Sequence, residues 1–384
     1  MWGRAAASHY SVRSDLQKAL WRQPKTADVL NNLHLPTISA TITDPSHPDS
    51  YDLDYFLPLF GHILAPENPI ATYKFTKSGA LALSLTGFRG DKNQRLATCH
   101  ILQRFYFHLE ARQTGKDNPL WLRFVEAVCK GVAVLDDFKV NNFVGVFLAR
   151  TALVLTQPTE VMYVPLSQYL GAKDALDFST IPELYTLLHS PHVQSKEHKR
   201  FILEVVRDGL KTASDFTTLL RSMGFKLISE LCSSTVCDAQ TKMLVLEVFE
   251  ECCGVDLGVK VLCGNLSFLT QVCALVFKNV TQGAVLGKLL RILLRIVEVD
   301  ENRQRNFLVY LNLMTLGNEQ NIRYLQECKS LDVYYRVLMV VVNRFPEFFG
   351  EGDMEGVLER SGDKFCAYAV RYGCGYVKED DISG

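Results

Sequence analysis

An all-α fold, an α-solenoid of divergent HEAT- or armadillo-like helical repeats, is predicted by three observations. Apolar residues recur at helical spacing in about fifteen segments of roughly 10 to 20 residues. Short polar or glycine-bearing turns separate the segments, and none of them carries a convincing hairpin signal. The chain of 384 residues is 48% hydrophobic and 22% charged, enough for two domains or one extended array with a sizeable core. No strict period is visible, so divergent helix pairs are expected, each covering its neighbour's apolar face.

Residues 1–50 read as an extended lead-in: a weak helix around Ser14 to Trp21, then a stretch that Pro36, Pro45 and Pro48 keep from being helical. The first repeat half is placed at 51–255. Asp52 to Leu64 has an apolar periodicity that Pro58 interrupts. Ala65 to Pro69 is a turn, Leu81 to Leu85 lie in a helix, and Gly87 to Gly90 form another turn. Small residues at Ser78, Gly79 and Ala80 allow a close helix contact.

The strongest helix is Asp91 to Arg112, with Ala97, Ile101, Leu102, Phe105, Tyr106 and Leu109 along one side. Asp91 is its cap, and Gln94 three residues on suits a capping box. Replacing Phe105 or Leu109 by Ala is expected to cost about 2–5 kcal/mol. Asn118-Pro119-Leu120 starts the next helix, bearing Trp121, Leu122, Phe124, Val125 and Val128 and stopping near Gly131. Val140 to Leu155 follows, closed at Gln157-Pro158. Thr180-Ile181-Pro182-Glu183 is a second capping-box candidate. Lys196 to Leu210, Phe216 to Met223 and Thr241 to Cys253 come next, the last ending at Gly254 as a left-handed cap.

The second half, 256–345, is richer in Val, Leu and Cys: Leu257 to Phe277, Ala284 to Val299, Arg305 to Leu316, Ile322 to Cys328 and Val333 to Phe345. Turns fall at Gly264, Gln282-Gly283, Asp300 to Asn302 and Gly317-Asn318. Val340, Val341 and Val342 favour strand by propensity, but Val333, Val337, Val341 and Phe345 repeat at helical spacing and decide for helix. The tail, 346–384, is acidic and glycine-containing, with a cap helix at Asp363 to Val370.

The formal charge is −1, so no global positive field draws the chain to nucleic acid or an anionic membrane, and any RNA contact is local. Eleven cysteines without framework spacing read as reduced thiols in a core, which implies nucleus or cytosol. The sequons Asn265-Leu266-Ser267 and Asn279-Val280-Thr281 are therefore taken as coincidental. No apolar run reaches about 18 residues, and the first residues lack the apolar core of a signal peptide.

His189, His192 and His198 offer imidazoles, but without a cysteine pair at ligand spacing. Cys252-Cys253, Cys232 with Cys237, and Cys366 with Cys374 also lack that spacing. Nucleophile elbow and phosphate-loop motifs are missing, and Gly373-Cys374-Gly375 is too short to count, so no enzyme, cofactor or small-molecule substrate is expected.

The basic stripes are better candidates. Lys288, Arg291 and Arg295 stand three and four apart on a helix apolar nearly all round, extended by Arg303 and Arg305; Lys196, Lys199 and Arg200 form a weaker cluster. Solubilising cations explain the stripe adequately. The sharper reading is a ridge that contacts phosphates and holds RNA by shape.

Phe75 to Thr86 followed by Ala97 to Glu110 resembles the C-terminal domain of the nucleolar pre-ribosomal-associated protein 1 family. The likeness continues through Phe147-Leu148-Ala149-Arg150, Pro158 and Tyr163, then Ala175-Leu176-Asp177 with Ile181-Pro182. It closes with Arg200-Phe201, Asp208-Gly209-Leu210-Lys211-Thr212 and Asp215, so that it covers roughly residues 50 to 250. Family members are far longer, and the resemblance marks this chain as a fragment or short isoform lacking their N-terminal region.

The resemblance implies a non-catalytic nucleolar scaffold of early large-subunit precursors, needed for pre-rRNA processing. It would bind pre-ribosomal particle proteins, among them a DEAD-box helicase and other assembly scaffolds, and pre-rRNA, with no membrane. The rival reading is an armadillo-type peptide-binding adaptor in nuclear transport or trafficking. An Asn and Trp ladder would favour it, and Trp2, Trp21 and Trp121 do not form one.

Overall fold

The computed structural model describes residues 51–68, 70–111, 118–234, 237–265, 267–299, 319–327 and 329–344. Among these residues there are seventeen α-helices, two short 3-10 turns and no strand. They divide into two units, one ending at Gly209 and the other beginning at Leu210. The lead-in over 1–50, the helix expected at Arg305 to Leu316 and the tail over 346–384 lie outside the described residues.

In the first unit, α1 (Leu53–Ile63) is capped by Asp52, whose side chain accepts from the Asp54 N–H. It runs unbroken through Pro58. That residue is exposed, so the one backbone bond it forfeits is lost on the solvent side. α2 (Thr72–Lys77) and α3 (Ala80–Thr86) are separated by Gly79 at φ 83, the left-handed conformation that glycine takes without strain. Gly79 is thus a break between helices, where a close helix contact was expected. α3 is buried along its whole length, and a 3-10 turn, Gly87–Arg89, leads to α4 (Lys92–Ala111).

In α4 Ile101, Leu102, Phe105 and Leu109 are buried as predicted, whereas Ala97 and Tyr106 are half-buried. Asp91 caps it, accepting from Gln94 N–H at 2.8 Å. The reciprocal half of the box is absent because the Gln94 amide donates across to Asp54 Oδ1 at 2.8 Å. Three further polar residues of α4 hold neighbouring backbone. Arg95 donates to Asp137 O and Gly90 O at 2.8 and 2.7 Å, Arg104 donates to Gly61 O, and His108 Nε2 lies 3.2 Å from Leu64 O. They satisfy carbonyls that the ends of α1 and the adjoining turns leave open.

α5 (Asn118–Ala133) continues past Gly131. That glycine lets the 176–178 segment approach, since a Cβ there would stand 2.6 Å from Leu176 O. α6 (Asn142–Val154) is capped by Asn141, and α7 (Tyr163–Ala172) went unanticipated. α8 (Leu184–Leu188) is a single short helix whose preceding residue, Glu183, has φ 56 and makes no side-chain cap, so the expected box at Thr180 to Glu183 does not form. α9 (Ser195–Gly209) ends the unit.

α3 packs on α6 and α6 on α9. The repeating relation therefore skips two helices, an armadillo-like step of three where pairs were expected. These helices start at Ala80, Asn142 and Ser195, and the unequal intervals conceal the repeat in the sequence. Phe60, Phe75 and Phe105 form a chain of rings at 5.6 and 5.4 Å, all fully buried, each contributing roughly 1.5–3 kcal/mol by leaving water.

The second unit opens with α10 (Ala213–Arg221), held by a complete capping box in which Thr212 and Asp215 serve each other. Met223 at φ 52 separates it from α11 (Gly224–Ser233), a helix the sequence analysis did not assign. α12 (Ala239–Gly254) is capped by Asp238 and contains Gly254. The C-cap is Val255 in an extended conformation, so the left-handed glycine cap is corrected.

α13 (Asp256–Asn265) includes Gly264, and the break before α14 (Phe268–Lys278) falls instead at Ser267, φ 51. The rings of Phe225, Phe249 and Phe268 close a triangle at 5.0 to 5.5 Å. α15 (Gly283–Val299), α16 (Glu319–Glu327) and α17 (Leu331–Arg344) follow, and the valine run at 340–342 is helical. α15 packs on α12, α13, α14 and α17. Among the described residues no single helix is long and apolar enough to cross a membrane; α13 and α14 reach that length only as a pair bent by 87°.

Candidate partner-contact surface

The stripe on α15 is a product of how completely that helix is covered. Leu286, Leu289, Leu290, Ile292, Leu293, Ile296 and Val297 are buried against the surrounding helices, which confines the polar positions to one line. Gly287 extends the coverage: a Cβ there would meet Ser330 Oγ at 2.7 Å. The structure brings Lys288, Arg291 and Arg295 together on the side facing α12. Their roles differ.

Lys288 is 14% exposed and its ammonium donates to Glu250 Oε2. Arg291 is 56% exposed and stands 3.9 Å from the other oxygen of the same carboxylate. Arg295 is exposed, its guanidinium lying over the end of α12 at Gly254, where a Cβ would be 3.1 Å from Nη1. One carboxylate thus faces two cations, and the outward charge belongs to Arg291 and Arg295. Arg303 and Arg305 lie outside the described residues.

On α9, Lys196 is exposed, Lys199 half-buried, and Arg200 Nε pairs with Glu204 Oε1 at 3.1 Å. Glu204 also serves a network that was not foreseen. Arg150 of α6 donates to Glu204 Oε2 and Asp208 Oδ2, each at 2.6 Å, and Arg207 Nε meets Asp208 Oδ1 at 2.8 Å. The Asp208 side chain is 1% exposed, and a buried carboxylate demands such partners. The signal was present in the sequence: Asp208 falls on the face of α9 set by Phe201 and Val205, where a charge has to be matched.

The three histidines do not converge. His189 is exposed. The rings of His192 and His198 stack at 5.4 Å and 18°, so lone pairs in their planes run side by side. His198 Nδ1 bonds Ser190 Oγ at 2.8 Å. Burial, with the neighbouring His192, holds His198 below the ordinary histidine range.

Among the described residues no disulfide is formed. Cys232, Cys252, Cys253, Cys263 and Cys273 are buried, and desolvation pushes the Cys232 thiol up to about 11 and those of Cys252 and Cys253 higher. They behave as core-filling groups. Asn279 is 1% exposed and its amide is spent within the fold, donating to Leu275 O and accepting from Lys242, so this fold has no room for a glycan on it. Trp121 is buried edge-on against Phe124 and cannot serve a surface ladder.

Residues 81–271 match the family model described as nucleolar pre-ribosomal-associated protein 1. The protein of that name from Homo sapiens is 25% identical over 317 residues, which is 76% of this chain and 14% of the relative. The Mus musculus protein is 25% identical over 319 residues with the same shares. The chain thus spans a small part of the curated relatives it matches.

Proposed function

We propose, from the match of residues 81–271 to the nucleolar pre-ribosomal-associated protein 1 family model, that the chain acts as a non-catalytic scaffold in nucleolar assembly of the large ribosomal subunit. It supports pre-rRNA processing by position, holding assembly factors and an rRNA segment together while the precursor folds. The observation that carries the reading is the family match laid on an all-α framework whose conspicuous polar groups serve either packing or an outward cation line. Helical repeats of this kind offer long faces to protein and RNA.

Arg291 and Arg295 in the second unit would contact phosphate, and so, as a separate cluster in the first unit, would Lys196 and Lys199; neither cluster reads bases. Arg150 and Lys288 are withdrawn from that role by their carboxylates. The partners are proteins of the pre-ribosomal particle, a DEAD-box helicase and further scaffolds among them.

The test is cell fractionation with a tagged chain. It should enter nucleoli and co-sediment with large-subunit precursors, and a chain absent from both overturns the proposal. Arg291→Glu with Arg295→Glu should weaken RNA crosslinking and lower the salt dependence of binding by about two charges. Unchanged crosslinking removes the RNA part and leaves protein partners alone.

A further inference from the structure

One cavity in the first unit plays no part in that proposal. It holds about 1000 Å³ between α7, α8 and the first turn of α9, with walls supplied by Val161, Val164, Leu166, Tyr169, Leu187 and Pro191. Its charged residues are Glu160, Glu183 and Lys173, and the Lys173 ammonium already rests over the Tyr169 ring at 5.2 Å. Two carboxylates against one occupied cation disfavour a phosphate and favour a neutral or basic guest.

His198 lines the same cavity. It is 5% exposed, and its Nε2 has no hydrogen-bond partner. Ser190 Oγ accepts from the His192 N–H at 3.3 Å and lies 2.8 Å from His198 Nδ1. A buried polar atom without a partner is rare in a folded protein. The mouth is also apolar: Val164 is 57% exposed and Val193, between the lining residues His192 and Gln194, is 97% exposed.

We propose that this cavity docks a short segment of a protein partner. One apolar side chain enters between α7 and α8, and a basic residue of the segment lies beside Glu160 and Glu183. The proposal deepens the scaffold reading and rests on it only for the origin of the partner, since binding can be measured on the purified chain without any pre-ribosomal particle.

The probe is a phage-displayed library of random peptides selected on the full chain, with the selected peptides then synthesised and titrated. Peptides with an aliphatic or aromatic anchor next to Lys or Arg should emerge, and Val164→Glu should weaken them about tenfold or more. Val164 is exposed, so that variant should melt as the parent does. Selection of no peptide sensitive to Val164→Glu overturns the proposal. So does a single-stranded RNA oligonucleotide that competes for the cavity.

Discussion

Two helix contacts, α6 against α9 in the first unit and α12 against α15 in the second, use the same residue types to opposite ends. At the first, Arg150 meets two carboxylates, one of them 1% exposed, and the ion pairs lie inside the packing. At the second, one carboxylate, Glu250, is shared by Lys288 and Arg291, and the latter is 56% exposed. Burial decides what a charge is for. An enclosed guanidinium has to be matched and becomes part of the frame, while a cation at the rim keeps most of its field for a partner.

The severest test of this contrast is Arg150→Ala. It leaves the buried Asp208 and the half-buried Glu204 with too few donors and is expected to destabilise the chain by about 3–5 kcal/mol in chemical denaturation. Next is Gly209→Ala, which wedges the same contact. The added Cβ would lie 2.6 Å from Phe143 Cδ1 and 2.9 Å from its Cα, and overpacking of this kind costs about 1–3 kcal/mol.

Asp215→Ala removes the capping box that starts the second unit and should cost about 1 kcal/mol, read as a lowered denaturation midpoint. The smallest effect belongs to the rim: Arg291→Ala should change stability by about 0–1 kcal/mol. If Arg291→Ala proved as damaging as Arg150→Ala, the distinction between frame and rim would collapse, and with it the choice of Arg291 as a contact residue.

Much of the frame is legible in the sequence. Ile101, Leu102, Phe105 and Leu109 follow from spacing alone, and so does the Asp91 cap, because both depend on residues a turn or two apart. The valine run at 340–342 reads as helix for the same reason. Errors arose where a local motif had a distant competitor. Gln94 suits a capping box, yet its amide finds Asp54, forty residues earlier in the chain. Gly254 suits a left-handed cap but sits under Arg295 inside a helix.

The stripe of Lys288, Arg291 and Arg295 was readable as a line, though not which of its members face outward. The cavity around His198 was not readable, since α7 escaped assignment and the contact between Ser190 and the imidazole forms only in the folded chain.

By itself the sequence determined the helical class, the buried side of each strong helix and the resemblance to a family, because periodicity and word order survive in one dimension. Tertiary structure alone decided which charges are enclosed and which are offered. Arg150 lies 54 and 58 residues from its two carboxylates, and no spacing rule reaches across that interval. Whether a cation is enclosed or offered depends on what is packed against it, and that is settled only when the helices meet.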